Sequence, residues 1–103
     1  MQVIFFNKKA EKFFNSVEER FKPRLRKTFE LLEERNAKLE MPHSKPLGKS
    51  LFELRIVGTT HIRFIYTFHS DIIWILHGFV KKTNRIPKEE IGYAQKQLKL
   101  LLH

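Results

Sequence analysis

Three strand-like segments joined by two tight turns, together spanning Leu51 to Val80, constrain this chain more than any other feature. Leu51 to Val57 reads as a first strand, and Gly58 to Thr60 as a turn. His61 to Phe68 then alternates, with Ile62, Phe64, Tyr66 and Phe68 on one face. His69 to Asp71 turns the chain again. Ile72 to Val80 is apolar on both faces, which suits a central strand covered by helices on one side. Such short connections permit only antiparallel neighbours, so this part of the chain reads as a three-stranded meander.

The flanks are helical. Gln2 to Phe6 reads as a short apolar strand, after which Ala10, Phe13, Phe14 and Val17 recur at helical spacing behind Asn7. Ser16 and Glu19 have the capping-box spacing for a second helix, whose apolar positions Phe21, Leu25, Phe29, Leu32, Asn36 and Leu39 follow at three- and four-residue steps. Pro23 requires either a kink or a fresh start near Lys22. Met41 to Ser50, with two prolines and one glycine, reads as a loop between the helical and strand-rich halves. Pro87 can occupy the first turn of a closing helix, with Glu89 and Glu90 at its positive end and a stripe of Ile91, Ala94, Leu98, Leu101 and Leu102. The expected architecture is a single α+β domain over 1–103: an N-terminal strand, a two-helix hairpin, a three-stranded antiparallel meander and a C-terminal helix.

Charge then narrows the classes of function. Twenty Lys and Arg against eleven Asp and Glu give a formal net charge of +9, which attracts polyanions. Residues 1–42 carry ten basic and seven acidic side chains, whereas 43–85 carry seven basic and two acidic, so the electropositive part is the strand-rich one. With no cysteine, a disulfide framework, thiolate metal site and cysteine nucleophile are excluded. The longest apolar run, Ile72 to Leu76, is far short of the ~20 residues that a spanning helix needs. With no signal-peptide pattern either, a cytoplasmic protein without membrane association is expected. The histidines at 43, 61, 69, 77 and 103 lack metal-ligand spacing, so neither metal nor cofactor is expected.

Two constellations could carry chemistry. Strand parity places Glu53 and Arg55 on one face, with Arg63 across the turn on the next strand. Paired guanidiniums can clamp a phosphate through two-point hydrogen bonds, although Arg55 could equally pair with Glu53 or face solvent. The second constellation is His77-Gly78-Phe79-Val80-Lys81-Lys82-Thr83-Asn84-Arg85, in which parity sets His77, Phe79 and Lys81 on one side. A ring beside cations can hold an unstacked base next to its phosphate, but Phe79 and His77 can also belong to the core. His77 lies within the apolar strand and is expected buried and hydrogen-bonded, whereas Lys81 and Lys82 lie past it and are expected exposed. Such an inventory fits RNA cleavage by the RNA's own 2′-hydroxyl, where cations and one proton carrier suffice.

The runs LFELRIVGTTHIRFIYTF and WILHGFVKKTNRIPKEEIGYAQ resemble the phage-derived, HigB-type branch of the RelE/ParE toxin superfamily, most specifically from Leu76 to Pro87. The resemblance implies a toxin of a type II toxin–antitoxin pair that cuts messenger RNA in the ribosomal A site. Its partners would be ribosome, mRNA and a small antitoxin of helix-turn-helix type. By that likeness Arg55 and Arg63 bind and polarise the scissile phosphate, and Lys81 and Lys82 complete the charge. Phe79 or Tyr66 would touch the base, Arg85 and Lys49 are further RNA contacts, and Tyr66 joins Arg55, Arg63 and Lys81 in the catalytic set. Tyr66 and His77 both stay open as proton carriers. Relatives usually carry Ser or Thr before the proline opening the last helix; here Ile86 stands there, at a cost of ~1 kcal/mol in capping. Two other readings stand beside this one: a ParE-like gyrase inhibitor and a non-catalytic nucleic-acid-binding module.

Overall fold

The alternation at 61–68 does become a strand, and the sheet grows around it. The computed structural model describes residues 1–103. Its strands are β1 (Gln2–Phe5), β2 (Ser44–Gly48), β3 (Leu51–Arg55), β4 (Ile62–His69) and β5 (Ile72–Val80). They form one five-stranded sheet in the order β1-β5-β4-β3-β2. The meander β3-β4-β5 is antiparallel as expected, and β1 joins β5 in parallel. Helices α1 (Lys8–Ser16) and α2 (Lys22–Arg35) form the hairpin, and α3 (Lys88–Leu102) closes the chain.

Local chemistry explains most boundaries. Asn7 caps α1 by accepting from the Ala10 N–H at 2.8 Å. The Ser16–Glu19 capping box does not form, because Ser16 is still the last residue of α1 and its hydroxyl donates to the Phe13 carbonyl. Helix α2 makes the fresh start at Lys22, where Pro23 sits in the first turn and sacrifices no hydrogen bond. It ends at Arg35, where Asn36 leaves helical backbone at φ +53° and ψ −124° while its N–H still donates to the Leu32 carbonyl. Leu39 therefore reaches the core from a following short turn.

Two expectations need correction. The segment 41–50 is not wholly loop: β2 lies within it, paired antiparallel to β3. Its Pro46 is tolerated because β2 is an edge strand with one side unpaired. Nor do the helices cover only one face. On one side α1 and α2 bury Leu25, Phe29 and Leu32 against Leu54, Phe64, Tyr66 and Ile75. On the other, α3 brings Ala94, Ile91 and Leu98 onto Leu51, Ile65, Leu76 and Phe79. Both faces of β5 are covered, which accounts for its apolar run better than the one-sided packing expected.

Phe64 centres the larger core, with its ring edge-on to Phe13 at 5.6 Å and to Phe29 at 5.1 Å. Truncation to Ala there would cost about 3 to 5 kcal/mol. Gly78 lets α1 approach the sheet, since a Cβ at that position would meet the Phe13 ring at 2.5 Å and Phe64 at 2.9 Å. In β5 a bulge inserts Leu76, because Ile65 pairs with His77 while Tyr66 pairs with Ile75. The bulge brings His77 and Phe79 onto the α3 face, in phase with Ile65 and Arg63.

Candidate functional site

The sheet's register assembles a row of polar side chains on the α3 face, near the open end of the meander. Arg55 pairs with Arg63, and Arg63 with Phe79. One row further in, Lys45 pairs with Glu53, Glu53 with Ile65, and Ile65 with His77. Phe52 and Leu54 take the opposite parity and pack under the helical hairpin. The N–H of Lys81 donates to the His61 carbonyl at 2.8 Å, which carries strand geometry past Val80. Lys81 thus continues the parity of His77 and Phe79.

Glu53 is the electrostatic centre of this row. Its carboxylate is 1% exposed. Such burial would be costly for a lone charge, and the two arginines offset it. Oε1 accepts from the Nε of Arg55 at 2.7 Å, while Oε2 lies 3.6 Å from the Nε of Arg63. Nη1 of Arg63 donates to the Ile62 carbonyl at 3.0 Å, and Nη1 of Arg55 lies 3.5 Å from Sδ of Met41. Burial draws the Arg63 pKa below the ordinary guanidinium range; Glu53 opposes that shift and Arg55 adds to it.

Two depressions open on either side of Arg55. One, of about 360 Å³, is lined by Lys45, Glu53, Arg55, Lys81, Asn84 and Arg85, with an apolar wall that includes Ile86 and Ile91. The other, of about 310 Å³, is lined by Arg55, Arg63, His61 and the turn between β3 and β4. The first gathers four cations around a single, sealed carboxylate. Clefts walled by one sign of charge concentrate polyanions at their mouths. Planar guanidiniums side by side provide forked donors for phosphate oxygens.

The structure brings together only part of the expected set. Arg55, Lys81 and Arg85 meet in the first cleft, and Arg63 stands beside Arg55 in the second. Lys82 is exposed on the connection to α3 without lining either cleft. Lys49 is exposed on the β2–β3 turn, where it lines a separate hollow with Gly92, Gln95 and Lys96 of α3.

Phe79 is corrected as a base contact. It is 6% exposed and stacked on His77 at 5.2 Å, so it offers no free face. Tyr66 is corrected as a catalytic residue, because it lies on the other side of the sheet from the arginines. It is 1% exposed, its hydroxyl is 2.6 Å from that of Ser44, and its ring stacks on Phe52 at 5.4 Å. Burial raises its pKa above the ordinary 10, with the Ser44 hydrogen bond pulling the other way.

His77 is buried and hydrogen-bonded as expected. Nε2 lies 3.2 Å from Oε1 of Glu90 on α3, and the Tyr93 ring packs on it at 4.5 Å. Desolvation depresses its pKa against the pull of Glu90, and Lys9 on α1 adds to the depression. Its Nδ1 finds no partner.

Sequence reasoning missed Lys45 as a cleft residue, gave Asn84 no role within the 77–85 run, and treated Glu53 only as a neighbour of Arg55. The signal for Lys45 was hidden in a Pro- and Gly-rich stretch that carries no periodicity. For Glu53 the signal was available: an acidic residue on the inward parity of a central strand must have a cationic partner.

No curated protein was found to match this chain. The model of the family described as phage derived protein Gp49-like (DUF891) matches residues 12–99, from within α1 to near the end of α3, and includes every residue that lines the two clefts. The chain therefore belongs to the phage-derived Gp49-like family, a group of RelE-type, toxin-like modules.

Proposed function

We propose that the protein is the toxin of a type II toxin–antitoxin pair, of the HigB-like branch, and that it acts as a metal-independent endoribonuclease on mRNA engaged with the ribosome in the cytoplasm. The observation that carries this reading is the direct cross-strand pairing of Arg55 with Arg63, flanked by Lys45, Lys81 and Arg85. Like charges opposite each other on neighbouring strands destabilise a sheet, and the single carboxylate of Glu53 offsets only one of the two, so the pair keeps a net positive charge suited to an anionic ligand.

The chemistry follows from that placement. The 2′-oxygen of one ribose attacks the adjacent phosphorus as its proton leaves. The bond to the 5′-oxygen breaks, giving a 2′,3′-cyclic phosphate and, after protonation, a 5′-hydroxyl. Negative charge building on the non-bridging oxygens is met by the two guanidiniums, each worth ~3 to 4 kcal/mol if well aligned. Since Tyr66 and His77 are both buried, the Lys81 ammonium, on the same face two residues beyond Phe79, is the group that gives a proton to the departing 5′-oxygen, while the 2′-proton leaves to water. Nucleotides on either side of the phosphate occupy the two depressions that share Arg55. A small antitoxin would silence the protein by covering the cationic clefts.

Purified protein added to a cell-free translation reaction tests the reading. Cuts inside the open reading frame are expected, ending in cyclic phosphate, and only while the message is being translated. Intact message with inhibited plasmid supercoiling would point to a gyrase poison. Intact message with RNA binding alone would reduce the protein to a binding module.

A further inference from the structure

Glu53 is the one acidic side chain lining the cationic cleft, and at first sight it works against anion binding. Three observations give it a purpose. Its two oxygens address different arginines, and both arginines meet it through Nε rather than through the terminal nitrogens. Oε2 of Glu53 and Nε of Arg63, 3.6 Å apart, are both buried and neither has a hydrogen-bond partner. Finally, the arginines are register partners, which repel each other unless a charge stands between them.

We propose that Glu53 is the positioning residue of the phosphate site: by facing Arg55 and Arg63 at their Nε edges, it fixes two neighbouring guanidiniums and leaves their Nη2 groups to grip one phosphodiester. This rests on the reading that the arginine face receives RNA. A merely structural ion pair would predict something different. Replacing it would change stability and leave the ratio between RNA affinity and cleavage rate untouched. A positioning carboxylate separates the two, since removing its charge raises the net attraction for RNA while misaligning the groups that act on the transition state.

The test compares the parent with Glu53→Gln, which keeps the size and loses the charge. In folded Glu53→Gln, single-turnover cleavage of translated message is expected to fall at least tenfold while affinity for a short single-stranded RNA stays equal or tightens. In arginine-selective NMR, the Hε signal of Arg55, which donates to Glu53, should lie downfield of those of exposed arginines such as Arg26, and should move upfield in the variant. If Glu53→Gln does not fold, Glu53→Asp keeps the charge but draws it back by one methylene. Slower cleavage at unchanged RNA affinity is then expected. Parental cleavage by a folded variant, loss of affinity in step with rate, or an Arg55 Hε signal indifferent to the substitution would each overturn the proposal. Should the parent itself not cut translated message, the functional reading fails. The Arg55 Hε shift and RNA affinity, with a short oligonucleotide as probe, still decide whether Glu53 aligns the arginines for an anion.

Discussion

Glu90 of α3 reaches the buried imidazole of His77 on β5 at 3.2 Å, and this contact ties the closing helix to the central strand. Its energetics are pH-dependent. Burial depresses the His77 pKa below the ordinary 6.5, so the unfolded chain takes up the proton more readily than the folded one. The stability held by the neutral ring is therefore present above the unfolded value and declines as pH falls below it, at up to about 1.4 kcal/mol per pH unit. Melting curves between pH 7.5 and 5.5 should show this decline, and it should be shallower in His77→Gln. His77→Ala should cost about 1 to 3 kcal/mol while sparing RNA binding. Unchanged melting with lost cleavage in His77→Gln would make His77 the proton carrier.

Alanine at Arg55 or Arg63 is expected to stop cleavage, at a loss of two to three decades in rate from ~3 to 4 kcal/mol of transition-state stabilisation. The structure adds a second effect. Arg55→Ala strips the closer partner from a sealed carboxylate and should destabilise the fold by about 3 kcal/mol, most of which Glu53→Gln in the same chain should return. Denaturant titration of the single and double variants reads this directly. Arg63→Lys, which keeps the charge and loses the fork, separates activity from stability more cleanly.

Tyr66→Phe is predicted to retain full cleavage and to lose about 1 to 2 kcal/mol, because the Ser44 hydroxyl is left without its buried partner. Cleavage assays at matched folded concentration decide the point. A rate loss without a stability loss would return Tyr66 to the site.

This last case shows what the sequence made legible. The alternation of 61–68 puts Tyr66 with Ile62, Phe64 and Phe68, and hence on the face opposite Arg63; strand parity alone is enough to separate Tyr66 from the arginines. The same parity argument placed Glu53 with Arg55, and His77 with Phe79 and Lys81. Strand β2 stayed hidden because an edge strand needs only half its backbone groups paired, so it can carry Pro46 and a glycine without alternation. The second helical layer was hidden in a different way. An apolar run such as Ile72 to Val80 says that both faces are covered, but not by which elements. The bulge at Leu76, which decides the side on which His77 emerges, leaves no mark in composition.

Lys81→Ala and Arg85→Ala should each weaken binding of single-stranded RNA and reduce the slope of log affinity against log salt by about 0.7, with melting unchanged. Lys82→Ala, outside both clefts, should do less. Equal effects at all three positions would mean that a diffuse basic surface binds RNA and that the clefts do not select it.

The most direct test of the central claim is to induce the parent and Arg63→Ala at matched levels in a bacterial host and map transcript 5′ ends within minutes. New ends inside translated reading frames are predicted for the parent alone, with untranslated RNAs left intact. Growth inhibition with no new ends, or the same ends in both proteins, would contradict the assignment of the paired arginines to RNA cleavage.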